Sequence, residues 1–186
     1  MDAMTLLHER SSMGKLCSPA PDADQLDAIY RAALRAPDHK ELTPWRFIEF
    51  SGEGLTRLGE LFAEAEFHNN PHIDDAALNA ARKKPLRAPM IIAVVAKITP
   101  DQPKVPPLEQ SLSAGCAAHG MLLAAQALGL GAMWRTGHYA FDPTVKKGLG
   151  LGELDELVAF LYLGQMGGRH KPLPERDPAD FVERWN

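Results

Sequence analysis

Apolar residues recur along the chain with two different periods, and these periods divide it into helices and strands. Asp22 with Gln25 three residues later forms a capping box that opens an amphipathic helix. The run from Met90 to Ala96 is continuously apolar, as in a strand covered on both faces. The segment from Leu108 to Leu128 is apolar almost all round, which predicts a buried central helix ending at Gly129.

Shorter patterns complete the predicted order of elements. Further helices are predicted over Asp2 to Arg10, Leu55 to Glu66, Asp74 to Lys84 and after Asp142-Pro143, and further strands over Arg46 to Phe50, Ala132 to Thr136 and Leu157 to Leu163. Helices and strands do not alternate regularly. We therefore expect one α+β domain over residues 1–186, with a central mixed sheet of about four to five strands surrounded by helices. The tail beyond Gly167 has little core pattern, so it would be ordered only by docking, for example on a partner subunit.

Composition and charge narrow the possible partners. The chain has 186 residues, of which 45% are apolar and 24% charged, as in an ordinary globular domain. Its net charge of −4 comes from scattered residues, which favours a small-molecule partner over nucleic acid or an anionic membrane. No apolar run approaches the about 20 residues of a membrane span, and no signal-peptide pattern opens the chain, so we expect a cytoplasmic protein. Cys17 and Cys116 lack metal-ligand spacing, and we expect Cys116 to be a small core residue and no metal site to be present.

Two segments in the first quarter of the chain gather donors that suit an anionic ligand. Arg10-Ser11-Ser12 ends the first predicted helix and offers a guanidinium and hydroxyl groups to a phosphate. The segment from Arg35 to Trp45 holds Arg35 and His39 in a loop whose backbone is restricted by two prolines. Taken alone, the first segment is better explained as a solvated helix cap, and the second is as well explained as a solvated connection.

A third segment, Gly129 to Gly137, carries Trp134, Arg135 and Thr136 between glycines. Backbone at glycine can approach a flat ring closely, and Arg135 can pair with a phosphate. A buried tryptophan beside a paired arginine would be the plain structural explanation.

In their order and spacing, the three segments resemble the nitroreductase family. The likeness consists of Arg-x-Ser near the N-terminus, Ala-Pro followed by Pro-Trp, and Gly-x-Gly-x-x-Trp before the last core strands. It extends to Arg87-Ala88-Pro89, Ser113-Ala114-Gly115 and the run from Phe160 to Gly164, and so spans almost the whole chain. The fit is closest to a compact bacterial branch that has Ala-Pro-Asp-His-Lys in the second motif.

The resemblance implies an FMN-dependent oxidoreductase that works as a homodimer with FMN between the subunits. NAD(P)H would reduce FMN and leave, and a nitroaromatic, quinone or related small molecule would then accept the electrons, in a ping-pong cycle without a protein nucleophile. The cofactor-binding residues implied are Arg10, Ser11, Ser12, Trp134, Arg135 and Thr136 from one subunit and Arg35 and His39 from the other. Among these, Arg10, Ser12 and Arg135 are expected to share the phosphate.

Two further features concern the nucleotide and the flavin edge. The resemblance implies that NAD(P) contacts the stretch Ala124, Ala125, Gln126, Ala127, Leu128 and Gly129. The family usually has a basic residue where this chain has Gly14, with Lys15 next, and often an Asn-containing sequence where it has Glu41 and Thr43. Arg35 and His39 are therefore the candidates for the flavin N1 and O2 edge.

Two other functions fit the same residues. A non-catalytic flavin-binding or regulatory module would keep the phosphate contacts but show no turnover with NADPH. A helical scaffold or interaction protein without a cofactor would be colourless, so a visible spectrum separates it from both flavoproteins.

Overall fold

The computed structural model describes residues 1–169 and 172–185. The helices are α1 (Ala3–Glu9), α2 (Ala23–Ala33), α3 (Glu53–Asn69), α4 (Asp75–Lys83), α5 (Pro107–Ala127) and α6 (Pro143–Gly148). The strands are β1 (Leu16–Cys17), β2 (Trp45–Ser51), β3 (Met90–Ala96), β4 (Gly131–Arg135) and β5 (Glu156–Met166). Single 3-10 turns occur at His39–Glu41, Pro85–Arg87, His138–Ala140 and Pro178–Asp180. In the described part of the chain, no helix combines the length and apolar character that crossing a bilayer requires.

Aspartate side chains begin four of the helices, and the caps at Asp2, Asp22 and Asp142 are those that the sequence predicts. Asp2, Asp22, Asp74 and Asp142 each accept hydrogen bonds from backbone amides of the first turn. The capping box of α2 is confirmed in both directions, with Asp22 and Gln25 each bonding the other's backbone. Just after the C-terminal end of α5, Gly129 has a φ of 76°, which is the left-handed conformation that the sequence predicts there.

The sheet has the strand order β1-β5-β3-β2, and β4 pairs with β5 as well. Every pairing is antiparallel, so the expectation of a mixed sheet is wrong. Two successive helices, α3 and α4, connect β2 to β3 and return the chain to the end of the sheet that it left. Strands β3 and β4 pair with opposite edges of β5 and run parallel to each other. Helix α5 joins them as a crossover connection.

Strand β3 lies at the centre of a three-layer structure and is buried at every position. Ile91, Ala93 and Val95 pack in a core with α3, whereas Met90, Ile92 and Val94 pack in a second core with α2 and α5. These alternating sides follow from the two-residue period of a strand. The sheet is therefore covered by α3 and α4 on one face and by α2 and α5 on the other, as the unbroken apolar run predicts.

Helix α5 differs from its prediction on one side. Its inner face is buried through Ala114, Ala118 and Met121, but the opposite face leaves Leu108 and Leu112 exposed. Cys116 lies on that exposed face, so its assignment to the core is wrong. Helix α5 therefore carries apolar residues on both faces, although the described part of the chain buries one of them.

Candidate functional site

A cavity of about 380 Å³ opens beside the end of β4, on the α3 side of the sheet. Three of its lining side chains are cations, namely Lys84, Arg87 and Arg135, and we call it the cationic cavity. Aromatic rings form much of the remaining wall. Its other lining residues are Phe62, Met133, Trp134, Thr136, Gly137, His138, Tyr139, Phe160 and Tyr162.

Arg135 has an unsatisfied donor in this cavity. Its Nε is buried and has no hydrogen-bond partner among the described residues. The guanidinium carbon lies 5.4 Å from the centre of the Tyr162 ring. Burial raises the pKa of Tyr162, while the charges of Arg135 and Arg87 oppose that rise. A buried donor without a partner costs free energy unless a bound group accepts from it, so the cavity fits an electron-rich or anionic ligand.

Three residues that line the cationic cavity, Lys84, His138 and Tyr139, contact one carboxylate behind its wall, that of Glu66 on α3. Its Oε1 accepts from the Tyr139 hydroxyl at 2.6 Å, lies 3.0 Å from His138 Nε2, and is 3.7 Å from Lys84 Nζ. Lys84 Nζ also donates to the Tyr139 hydroxyl at 2.8 Å. The Tyr139 bond, together with His138 and Lys84, holds the pKa of Glu66 below its usual value, and burial raises the pKa of Tyr139.

A second cavity, of about 520 Å³, lies on the other side of Trp134 and Thr136. It is lined mainly by apolar groups from α5, from the start of β5 and from the turn before α6, and we call it the apolar cavity. Leu112 and Phe141, two of its lining residues, are 60% and 75% exposed. Its other lining residues are Ser111, Gly115, Ala140, Lys146, Glu156, Leu157 and Val158.

The N-terminal motif lies at the opposite end of β4. The amide of Ser11 donates to Gln126 Oε1 at 3.0 Å, and the amide of Met13 donates to the Ala132 carbonyl at 2.9 Å. These bonds hold the segment after α1 between the end of α5 and the start of β4. Ser11 and Gln126 also line a separate cavity of about 400 Å³, together with Gly129.

Arg135 is therefore separated from the N-terminal motif along the strand. It lies three residues beyond Ala132, which corresponds to about 10 Å at the rise of a β-strand. Its side chain lines the cationic cavity, whereas Ser11 lines the cavity at the other end. The shared phosphate contact of Arg10, Ser12 and Arg135 stays a prediction, since Arg135 lines the cationic cavity and Ser11, between the other two, lines the cavity at the other end of β4.

The loop that carries His39 is tightly organised but does not line the cationic or the apolar cavity. His39 Nδ1 lies 3.0 Å from Glu109 Oε2, at the start of α5, and both side chains are about half exposed. The Asp38 carboxylate accepts from two backbone amides, those of Leu42 and Thr43. Three residues within four positions of this loop have a positive φ, namely Lys40, Glu41 and Thr43. Such conformations cost about 1–3 kcal/mol each and cluster at functional sites.

The implied nucleotide stretch forms the end of α5 and its cap. Ala125 is fully buried in the second core, so its side chain is not available to a ligand within this fold. Gln126 supports Ser11, while Leu128 and Gly129 are exposed at the helix end. Arg35 is likewise exposed, at the end of α2.

Lys84 and Glu66 are site residues that the sequence analysis missed. Lys84 follows the end of α4 and Glu66 lies in α3. Only folding brings them to β4 and to the turn at His138–Ala140. The nearest signal in the sequence was Arg87-Ala88-Pro89, three residues after Lys84.

The two ends of β4 therefore border two separate cavities, the cationic cavity beside Arg135 and the cavity lined by Ser11 and Gln126. The sequence model of the nitroreductase family matches residues 8–165. Provisionally named NAD(P)H nitroreductases are also similar: YdjA of Escherichia coli K12 is 45% identical over 164 residues, 88% of each chain, and a Haemophilus influenzae protein is 43% identical over 183 residues, 98% of each. The chain therefore belongs to the nitroreductase family.

Solved structures share the whole fold. A nitroreductase-like family protein from Bacillus cereus matches with a TM-score of 0.83 at 22% identity, covering 100% of this chain and 96% of that one. A nitroreductase with bound FMN from Bacteroides fragilis matches with a TM-score of 0.75 at 23% identity, covering both chains completely. The expected α+β nitroreductase-like fold is thus confirmed.

Proposed function

We propose that the protein is an FMN-dependent oxidoreductase that passes electrons from NAD(P)H to nitroaromatic, quinone or related small acceptors in a ping-pong cycle. The main support is the buried Nε of Arg135, which has no partner in the part of the chain that the structure describes and lies in a cavity with two further cations. Membership of the nitroreductase family and the name of the Escherichia coli relative support the same reaction. FMN, when bound, would supply the hydride and electron transfer chemistry.

The two ends of β4 suit the two ends of FMN, which is an elongated molecule with a phosphate opposite its ring. Arg10, Ser11 and Ser12, held at the start of the strand, would bind the phosphate through charge-assisted hydrogen bonds. Trp134, Arg135 and Thr136, at its other end, would border the ring. This arrangement assigns Arg135 to the ring end of the cofactor.

The cations of the cationic cavity would stabilise negative charge on the electron-rich edge of the ring. Lys84, Arg87 and Arg135 lie in a partly enclosed space, where a fixed charge acts more strongly than in water. No reorganisation is needed at the moment of reaction, because the Glu66 network already holds Lys84. These residues take the place of the base that is missing at Gly14.

The apolar cavity would receive the nicotinamide ring and then the acceptor. It adjoins the same Trp134 and Thr136 and is large enough for a flat ring system. Residues Ala124 to Gly129, at the far end of α5, remain our proposal for the nucleotide part of NAD(P)H, with Ala125 acting only through packing.

A homodimer would cover the exposed apolar face of α5. Leu108 and Leu112 are 68% and 60% exposed on that face, and Leu112 lines the apolar cavity. The Glu109 contact places His39 at the same end of α5. A two-fold interface along this face would therefore bring Arg35 and His39 of one copy to the site of the other. We propose such a dimer, in the cytoplasm, with FMN at the interface.

Steady-state kinetics test the proposed reaction. Initial rates measured with NADPH against a simple benzoquinone, at several fixed quinone concentrations, should give parallel double-reciprocal lines, as expected for two half-reactions. A nitrobenzene derivative should replace the quinone. Bound FMN without turnover with either acceptor would contradict the enzyme and favour a non-catalytic flavin-binding module.

A further inference from the structure

We propose that Glu66 is a positioning residue that fixes Lys84 and Tyr139 as preorganised donors of the cationic cavity. The inference rests on the proposed function for the identity of the ligand, but its first test uses the protein without a cofactor. Glu66 itself is absent from the cavity lining, so it acts through its two neighbours.

The geometry forms a closed triangle of polar contacts. Lys84 Nζ donates to Tyr139 at 2.8 Å, Tyr139 donates to Glu66 at 2.6 Å, and Glu66 lies 3.7 Å from Lys84. His138 Nε2 adds a fourth contact to the same carboxylate oxygen at 3.0 Å. Three separate parts of the chain are thereby joined, namely α3, the end of α4 and the turn at His138–Ala140.

Packing restricts the tyrosine corner of this triangle. The Tyr139 ring stacks on Phe62 with ring centres 3.9 Å apart and planes within 3° of parallel. Lys84 Nζ lies 4.4 Å from the centre of the same ring. Lysine has a flexible side chain, so its ammonium would sample many positions without these contacts. A held ammonium binds a ligand without the loss of that freedom.

The negative charge of Glu66 also offsets part of the positive charge of the cationic cavity. Lys84, Arg87 and Arg135 line one cavity and repel one another while no anion is bound. Glu66 contacts one of these three cations, Lys84, and its side chain is only 24% exposed. It offsets part of the repulsion and keeps Lys84 facing the cavity beside the two arginines.

The first test measures the reactivity of Lys84 in the cofactor-free protein. Trace labelling of amines with acetic anhydride, followed by mass spectrometry of peptides, should show Lys84 labelled severalfold faster in Glu66→Gln than in the wild type. Glu64→Gln removes the same charge from an exposed position of the same helix and should leave the rate unchanged. Equal labelling of Lys84 in the wild type and in Glu66→Gln would overturn the proposed positioning.

The second test asks whether the positioning serves the ligand. Glu66→Gln should weaken FMN binding to the cofactor-free protein by about three- to tenfold in a fluorescence titration, since a less restricted Lys84 would lose more freedom when it binds. In a Lys84→Ala background the same change should have almost no further effect. Additive effects would overturn the inference, because Glu66 would then not act through Lys84.

Two results keep this inference distinct from the proposed function. Tyr139→Phe retains the stack on Phe62 but removes the hydroxyl, and it should also raise Lys84 labelling even if Glu66→Gln fails to fold. If the wild type binds no FMN, the proposed function fails, whereas faster labelling of Lys84 in the variants would still support the positioning.

Discussion

The two cavities on either side of Trp134 and Thr136 differ in how complete they are within one chain. The cationic cavity has a polar wall whose side chains already contact one another, including the Glu66 network. The apolar cavity instead opens where Leu112 and Phe141 are largely exposed. In the function we propose, binding of a charged group would depend on contacts inside one chain, whereas binding of a ring in the apolar cavity would depend on what covers α5. Each cavity can be altered separately, and the expected effects differ in size and kind.

The largest effect is expected from a charge placed in the apolar cavity. Leu112→Glu should convert the proposed dimer to a monomer of 20.4 kDa and greatly reduce bound FMN, because a carboxylate would be buried at the interface. Light scattering coupled to gel filtration measures the mass. Leu86→Glu alters a similarly exposed leucine in the turn at Pro85–Arg87, which contacts α3 on the other face of the sheet, and should remain dimeric. A wild-type monomer that holds FMN stoichiometrically would refute the shared site.

Arg135→Ala should weaken FMN binding by about tenfold or more, through loss of one charge-assisted contact in the cationic cavity. Since the buried Nε has no partner among the described residues, the cofactor-free variant should unfold at no lower a temperature than the wild type. Fluorescence titration and thermal unfolding measure the two quantities. Arg57→Ala, an exposed arginine on α3, is the matched control and should bind FMN normally. Unchanged affinity in Arg135→Ala would remove this residue from the site.

A smaller effect is expected on the pH dependence of stability. The pKa of Glu66 is lowered in the folded protein from its usual value of 4.5. Its ionised form therefore stabilises the fold above that value, and this contribution is lost as the pH falls through the lowered pKa. The wild type should be more stable than Glu66→Gln at pH 7, and the gap should close under acid. Denaturant unfolding at a series of pH values measures it; a gap that stays constant down to pH 3 would contradict the assignment.

The smallest effect is expected at the exposed pair of His39 and Glu109. His39→Ala should slow reduction of bound flavin by NADPH about two- to fivefold and lower the flavin potential slightly, since half-exposed ionic contacts are worth about 0–1 kcal/mol. Anaerobic stopped-flow reduction and a dye-linked potential measure both. If neither quantity changes, His39 has no role at the flavin, and the cations of the cationic cavity supply the charge alone.

Local signals in the sequence were sufficient for most of the fold. The capping pair Asp22 and Gln25 and the unbroken strand from Met90 to Ala96 are both confirmed. Each depends on residues within a few positions of one another, so the pattern contains the cause. Strand β1 was missed because two residues are too few to show a period.

Features that depend on distant contacts could not be predicted. Helix α5 is apolar on most of its surface, but this pattern does not distinguish a face buried in the core from a face exposed on the chain. The prediction that Cys116 lies in the core was wrong for that reason. The antiparallel arrangement depends on how α3 and α4 return the chain, which no single pattern encodes. Likewise Glu66 and Lys84 are ordinary charged residues of helices until folding brings them together.

The flavin content of the purified protein tests the proposed function most directly. We predict a yellow protein that releases FMN on acid denaturation and, once stripped, rebinds one FMN per chain with a sharp end point in a fluorescence titration. Riboflavin, which lacks the phosphate, should bind much more weakly because it cannot use Arg10 and Ser12. A colourless protein that binds neither flavin after reconstitution would contradict the proposed flavin-dependent function.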